Sequence, residues 1–325
     1  MTKSMNELVK KSMTGNHVAR GALKLKVRNA INTGIEIAGA KVVYNNTWPI
    51  HTYVESIKQN IVHKTNTISS SFIAQRIADE GLWSGVLDGA SIKAKGKNSK
   101  DPVGARIIQN DTDAIRYVNK NGISNRNIDK VYDILALGFD LNKKEVSEDK
   151  RILIKKMFAY KSSNEILDAC IKYALTILIM PYEHSNVTLG RVIMWHELVK
   201  YDSVFKYMRL SHNIFSTNYI HHSVIQNMLI CTDIDGKKYH DITPFLEYML
   251  WTIAKVTCEV SKLTLNECVQ EHCLWVAKTD SCVPKNRFYT DKYTKQAVNN
   301  ALNALVKKQE LRKIKTSTEE YYTVV

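Results

Sequence analysis

Three groups of side chains have the types and spacing to do chemistry. Cys268, His272, Cys273 and Cys282 together offer the nitrogen and sulfur ligands of a zinc site. None of the six cysteines forms a CxxC pair, so the usual chelating spacing is missing. His221, His222 and His240 form a second candidate set. Adjacent histidines on a helix diverge by about 100°, so the pair does not chelate one ion unaided. Neither set is taken as a metal site. The third group is cationic: Lys307, Lys308, Arg312, Lys313 and Lys315 crowd a short stretch near the C-terminus, a pattern that attracts polyanions. The chain holds no GxxxxGK[ST], GxSxG or HExxH, which removes the P-loop, nucleophile-elbow and zincin signatures.

The elements that must position such groups are mostly helical. The 325 residues carry 46 Lys+Arg against 32 Asp+Glu, a net charge of +14 at pH 7. With 44% hydrophobic residues the chain is not disordered, and its length suggests two domains. Five prolines and 13 glycines are few, as in helical proteins. The opening MTKSMNELVKK has no apolar leader stretch, and the longest apolar run, Ala174–Met180, falls far short of the roughly 20 residues that span a bilayer. The expectation is a cytoplasmic chain with reduced cysteines and no membrane association. Patterning predicts helices over 50–77, 111–119, 125–137, 164–179, from Thr188 through Leu198, 216–229 and 243–260. Pro181 ends the helix at 164–179. Residues 89–104 and 142–150 read as loops, 151–160 as a short strand or helix, and 24–41 has no assignable pattern.

The segment Met180–Arg191, MPYEHSNVTLGR, aligns without gaps to HPFx(D/E)GNGRxxR, the motif of the Fic (Fido) family. Asp241–Leu246, DITPFL, resembles a helix opening of the same family, and the resemblance extends over about residues 55–260. It implies a helical bundle, with the motif between two central helices and ATP as the nucleotide. Asn186, Thr188 and Arg191 fall at its nucleotide-binding positions, and Pro181 and Tyr182 match it. The departures fall on the chemistry. Met180 stands where the family has its general-base histidine, and a thioether has no proton to exchange near pH 7. His184 replaces the acidic residue that holds Mg²⁺, and imidazole is a poor ligand for that hard cation. Ser185 and Val187 replace two glycines that admit phosphates to a helix N-terminus, and Thr188 replaces an arginine. The family's inhibitory (S/T)xxxE(G/N) segment maps to Thr65–Ser70, with Ser69 at the glutamate position. The interval between the charged loop and the motif is too short for the family's usual flap and a further helix.

Residues 264–325 read as helix, helix and hairpin, the order of a winged helix-turn-helix. In that resemblance Lys295, Gln296 and Asn299 face a DNA groove, while Lys307, Lys308, Arg312, Lys313 and Lys315 contact phosphates. Other winged helices serve as protein-binding modules. The expectation is therefore a mainly α protein: a basic segment at 1–50, a degenerate Fic-like bundle at 51–260 and a small α+β winged helix at 261–325. It acts by binding duplex DNA or a protein partner. Two alternatives stand beside this: a divergent nucleotidyltransferase with His184 as a displaced base, and a structural subunit of a larger, phage-type assembly.

Overall fold

The computed structural model describes residues 25–61, 70–91, 100–139, 145–261, 265–278, 282–289, 293–316 and 319–325, with isolated positions before residue 25. After a helical stretch at 25–28 comes a hairpin, β1 (Ala30–Ile37) and β2 (Ala40–Asn45). Seven helices follow: α1 (Trp48–Ile61), α2 (Ser70–Leu87), α3 (Pro102–Asn121), α4 (Ile128–Leu135), α5 (Glu148–Ala159), α6 (Glu165–Ile179) and α7 (Asn186–Tyr201). After a 3-10 turn at Ser203–Tyr207 come α8 (Leu210–Ser216), α9 (Asn218–Leu229), the strands β3 (Thr232–Ile234) and β4 (Lys237–Asp241), and α10 (Thr243–Ser261).

Helix α6 is the axis of the bundle. Every residue from Ile166 to Ile179 is buried, including the polar row Asp168, Lys172 and Thr176 at helical spacing. Asn164 caps its start by accepting from the Leu167 amide at 3.0 Å. Helix α7 lies directly against it. A Cβ added to Gly190 would sit 2.4 Å from the Tyr173 ring, so only glycine permits this approach. Helices α2 and α3 are equally close, since a Cβ on Gly81 would meet Thr112 Oγ1 at 2.1 Å. These two crossings fix the backbone around the α6–α7 turn.

The single helix expected over 50–77 is two, α1 and α2; the intervening 62–69, including Ser69, lie outside the described residues. Residues 24–41 contain β1, and the 232–241 hairpin was not expected. The strands run β1-β2-β4-β3, with β2 parallel to β4. Both hairpins turn through two residues of positive φ, Ala38–Gly39 and Asp235–Gly236. Asp-Gly is a strong signal for such a turn, whereas Ala at the first position conceals it. Residues 151–160 are helical, within α5.

At the C-terminal end, α11 (Leu265–Ala277) leads to β5 (Val283–Pro284), a 3-10 turn at Lys285–Phe288, α12 (Lys295–Lys307), β6 (Leu311–Lys315) and β7 (Glu320–Val324). The sheet order is β5-β7-β6, antiparallel throughout. Its core of Val269, Cys273, Phe288, Val298, Leu302 and Tyr322 is separate from the main one. The architecture is mainly helical, with a small α+β part, as expected. Among the described residues, no helix is long and apolar enough to cross a membrane.

Candidate functional site

The turn from α6 to α7 is built on one tyrosine. Helix α6 closes at Met180, in the left-handed region (φ 44°), with its N–H donating to Thr176 O. Lys150 Nζ donates to the Met180 carbonyl at 2.5 Å. Tyr182 then points inward, its ring stacked on Tyr132 at 3.8 Å and 4°. Its hydroxyl donates to Asp129, which also pairs with Arg151 at 2.7 Å. Asn186 folds back on the same residue, accepting from the Tyr182 amide at 3.1 Å and donating to its carbonyl at 2.8 Å. The Asn186 side chain is thereby committed to shaping the turn. Met180 remains outside the packing, 44% exposed.

Behind this turn lies a cavity of about 660 Å³. Met180, His184, Asn186, Thr188 and Arg191 all line it, whereas Pro181 and Tyr182, which also match the motif, do not. The structure adds two carboxylates that sequence reasoning missed. Asp88, just past α2, receives a hydrogen bond from the Thr188 hydroxyl and pairs with Arg191 at 2.8 Å. Arg191 also donates to Ser84 Oγ at 3.0 Å. Asp111, on α3, is 3% exposed, and its Oδ2 has no hydrogen-bond partner. Burial holds the Asp111 carboxyl well above the usual range; Asp88 adds to this and Arg191 opposes it. Burial disfavours the charge on Arg191 itself, but Asp88, with Tyr173 and Asp111, more than offsets it and raises its pKa. The guanidinium is a buried cation that the chain already neutralises.

A signal for Asp111 was available. It falls on the buried stripe of α3, with Ile108, Ile115 and Val118, where a carboxylate has no structural reason to be. Asp88 carried no such signal.

Among the described residues the candidate metal sets do not assemble; the Cys268 side chain lies outside them. His221 is hydrogen-bonded to the Tyr173 hydroxyl at 3.0 Å, and burial, then Arg191, pushes its pKa down to about 3. His240 donates from Nδ1 to the Met228 carbonyl. His272 donates to the Phe288 carbonyl at 3.1 Å, and Cys273 belongs to the C-terminal core. Among the described residues, no three His, Cys, Asp or Glu side chains converge as metal ligands.

The C-terminal cations divide into two kinds. Lys313 pairs with Glu320 at 2.5 Å, as does Lys285 at 2.8 Å, and their hydrogen bonds hold the Glu320 carboxyl down to about 2. Lys308 donates to Gln270 at 2.9 Å. Asn299 accepts from the Tyr289 hydroxyl, and Lys295 lies 5.8 Å from the centre of the same ring. Gln296, Lys307, Arg312 and Lys315 are exposed.

The fold class is that of a Fic-like helical bundle with a small α+β part. Among solved structures, the chain is similar to a Fic family protein from Desulfovibrio desulfuricans G20. The TM-score is 0.56 at 12% identity, covering 87% of this chain and 97% of that one. At this identity the likeness speaks for the fold. No family model matches the sequence, and no curated protein matches it.

Proposed function

We propose that this Fic-fold chain acts by binding and transfers no nucleotide. One observation carries the reading: the side chains at the motif's phosphate-binding positions are committed within the protein, Arg191 and Thr188 to Asp88 and Asn186 to Tyr182. A phosphate entering the cavity must displace a carboxylate that already neutralises the guanidinium. Met180, at the base position, supplies no proton acceptor for a target hydroxyl. The direct test is incubation with Mg²⁺ and ATP labelled at the α-phosphate, using the wild type and His184→Ala, an exposed and structurally safe change. No label should pass to any protein from either. Transfer by the wild type that His184→Ala abolishes would overturn the reading in favour of an enzyme with a displaced base.

The C-terminal region is the binding module in this reading, with duplex DNA as its partner. Its element order and its β5-β7-β6 sheet support a winged helix. Lys295 and Gln296 on α12 would face the groove, with Lys307, Arg312 and Lys315 on phosphates. Duplex affinity should fall steeply with salt and drop on Arg312→Glu/Lys315→Glu. Lys313, already paired with Glu320, is the less informative position. Absent or salt-insensitive affinity would leave a protein partner as the module's ligand.

A further inference from the structure

A second cavity, about 890 Å³, lies at the opposite end of the α6–α7 pair from the motif. Four exposed cations converge on it from four segments: Arg126 before α4, Lys155 on α5, Lys161 before α6 and Lys200 at the end of α7. None of the four makes an ion pair among the described residues. The carboxylates nearby are mostly engaged. Glu197 pairs with the buried Lys172 at 2.6 Å, and Asp168 accepts from the Ser162 amide at 2.7 Å. Only Glu165 stands exposed among the cations. Four cations gathered around one exposed carboxylate repel one another in the free protein, and a bound anion relieves that repulsion. Two half-buried rings, Phe158 and Tyr201, complete the lining. The volume is that of a small-molecule site, roughly 300–1,000 Å³.

We propose that this cleft binds a small polyanion carrying a planar ring, the chemistry of a nucleoside polyphosphate. The four cations take the phosphates, while Phe158 and Tyr201 offer faces to the ring. The site is distinct from the motif cavity and shares no lining residue with it.

Calorimetry on the full chain tests this with ATP and inorganic tripolyphosphate as probes. ATP should bind with an affinity that falls with salt, and tripolyphosphate more weakly. Lys155→Glu/Lys200→Glu should weaken ATP by at least about tenfold, and Arg126→Glu should weaken it on its own. These positions are exposed, so thermal melts should match the wild type. Val187→Trp, which fills the motif cavity from its rim, should leave ATP binding unchanged. Binding lost in Val187→Trp but untouched by the lysine changes would overturn this proposal and put a nucleotide back in the motif cavity, against the proposed function. No saturable ATP binding would overturn this proposal alone. Tripolyphosphate binding as tightly as ATP, with Phe158→Leu silent, would overturn the assignment of a ring-bearing ligand.

Discussion

The two ends of the α6–α7 pair are opposites in charge. At the motif end, Asp88, Asp111 and Glu183 line the cavity with one guanidinium, Arg191. At the other end, Arg126, Lys155, Lys161, Lys172 and Lys200 outnumber Glu165, Asp168 and Glu197. The same two helices supply both cavities, so the contrast comes from what is brought against them. Helix α3 and the residue after α2 deliver carboxylates to one end, whereas α5 and its flanking loops deliver exposed lysines to the other. A motif that resembles a phosphate site by sequence is thus the more acidic of the two places. The comparison teaches that a motif's electrostatics belong to its neighbours as much as to itself.

Substitutions can break the comparison, beginning with Arg191. Arg191→Met removes the bonds of a buried guanidinium to Ser84, Thr188 and the partly exposed Asp88, and denaturant unfolding should show a loss of about 2–3 kcal/mol. A loss below about 1 kcal/mol would mean that the pair carries little of the motif end. Glu80, buried on α2 and bonded to the Ser211 amide and hydroxyl, comes next. Burial, opposed by those Ser211 bonds, pushes its carboxyl up to about 7. The unfolded chain releases that proton near pH 4.5 and the folded chain near 7, so Glu80 is a source of stability at low pH that is lost as pH rises between those values. Over this window it should cost up to about 3 kcal/mol, and that share of the slope should vanish in Glu80→Gln. Equal slopes in both proteins would contradict this. Between the two ends, Gly190→Ala forces a methyl into the Tyr173 ring, and a loss of about 1–3 kcal/mol is expected from thermal unfolding. At the basic end, Lys155→Ala and Lys200→Ala should change stability by less than about 0.5 kcal/mol, because both side chains are exposed and make no ion pair among the described residues.

What the sequence revealed depended on how local the cause was. Helix α6 was legible because its cap at Asn164, its apolar run and Pro181 all lie within one short segment. The C-terminal strands were legible from LRKIK and EEYYTVV, flanking a short polar turn. The site was legible only along the motif. Asp88 lies 103 positions from Arg191, and nothing in either segment announces their pairing. The cations at 307–315 were visible as a cluster, but the strand register that spends Lys313 on Glu320 was not. The hairpin at β1–β2 was hidden by its Ala-Gly turn.

The parallel pairing of β2 with β4 orders events as the chain is made. Residues 40–43 leave the ribosome before their partners at 238–241, with nine of the described helices made in between. Asn45 waits in the same way for the Thr243 hydroxyl, 198 positions on. Closing so long a loop has a large entropic cost before any strand contact rewards it. Throughout elongation the hairpin presents an open backbone edge, the kind of surface on which nascent chains join one another. Refolding of the full-length protein should therefore be slower and more prone to association than its helical content suggests.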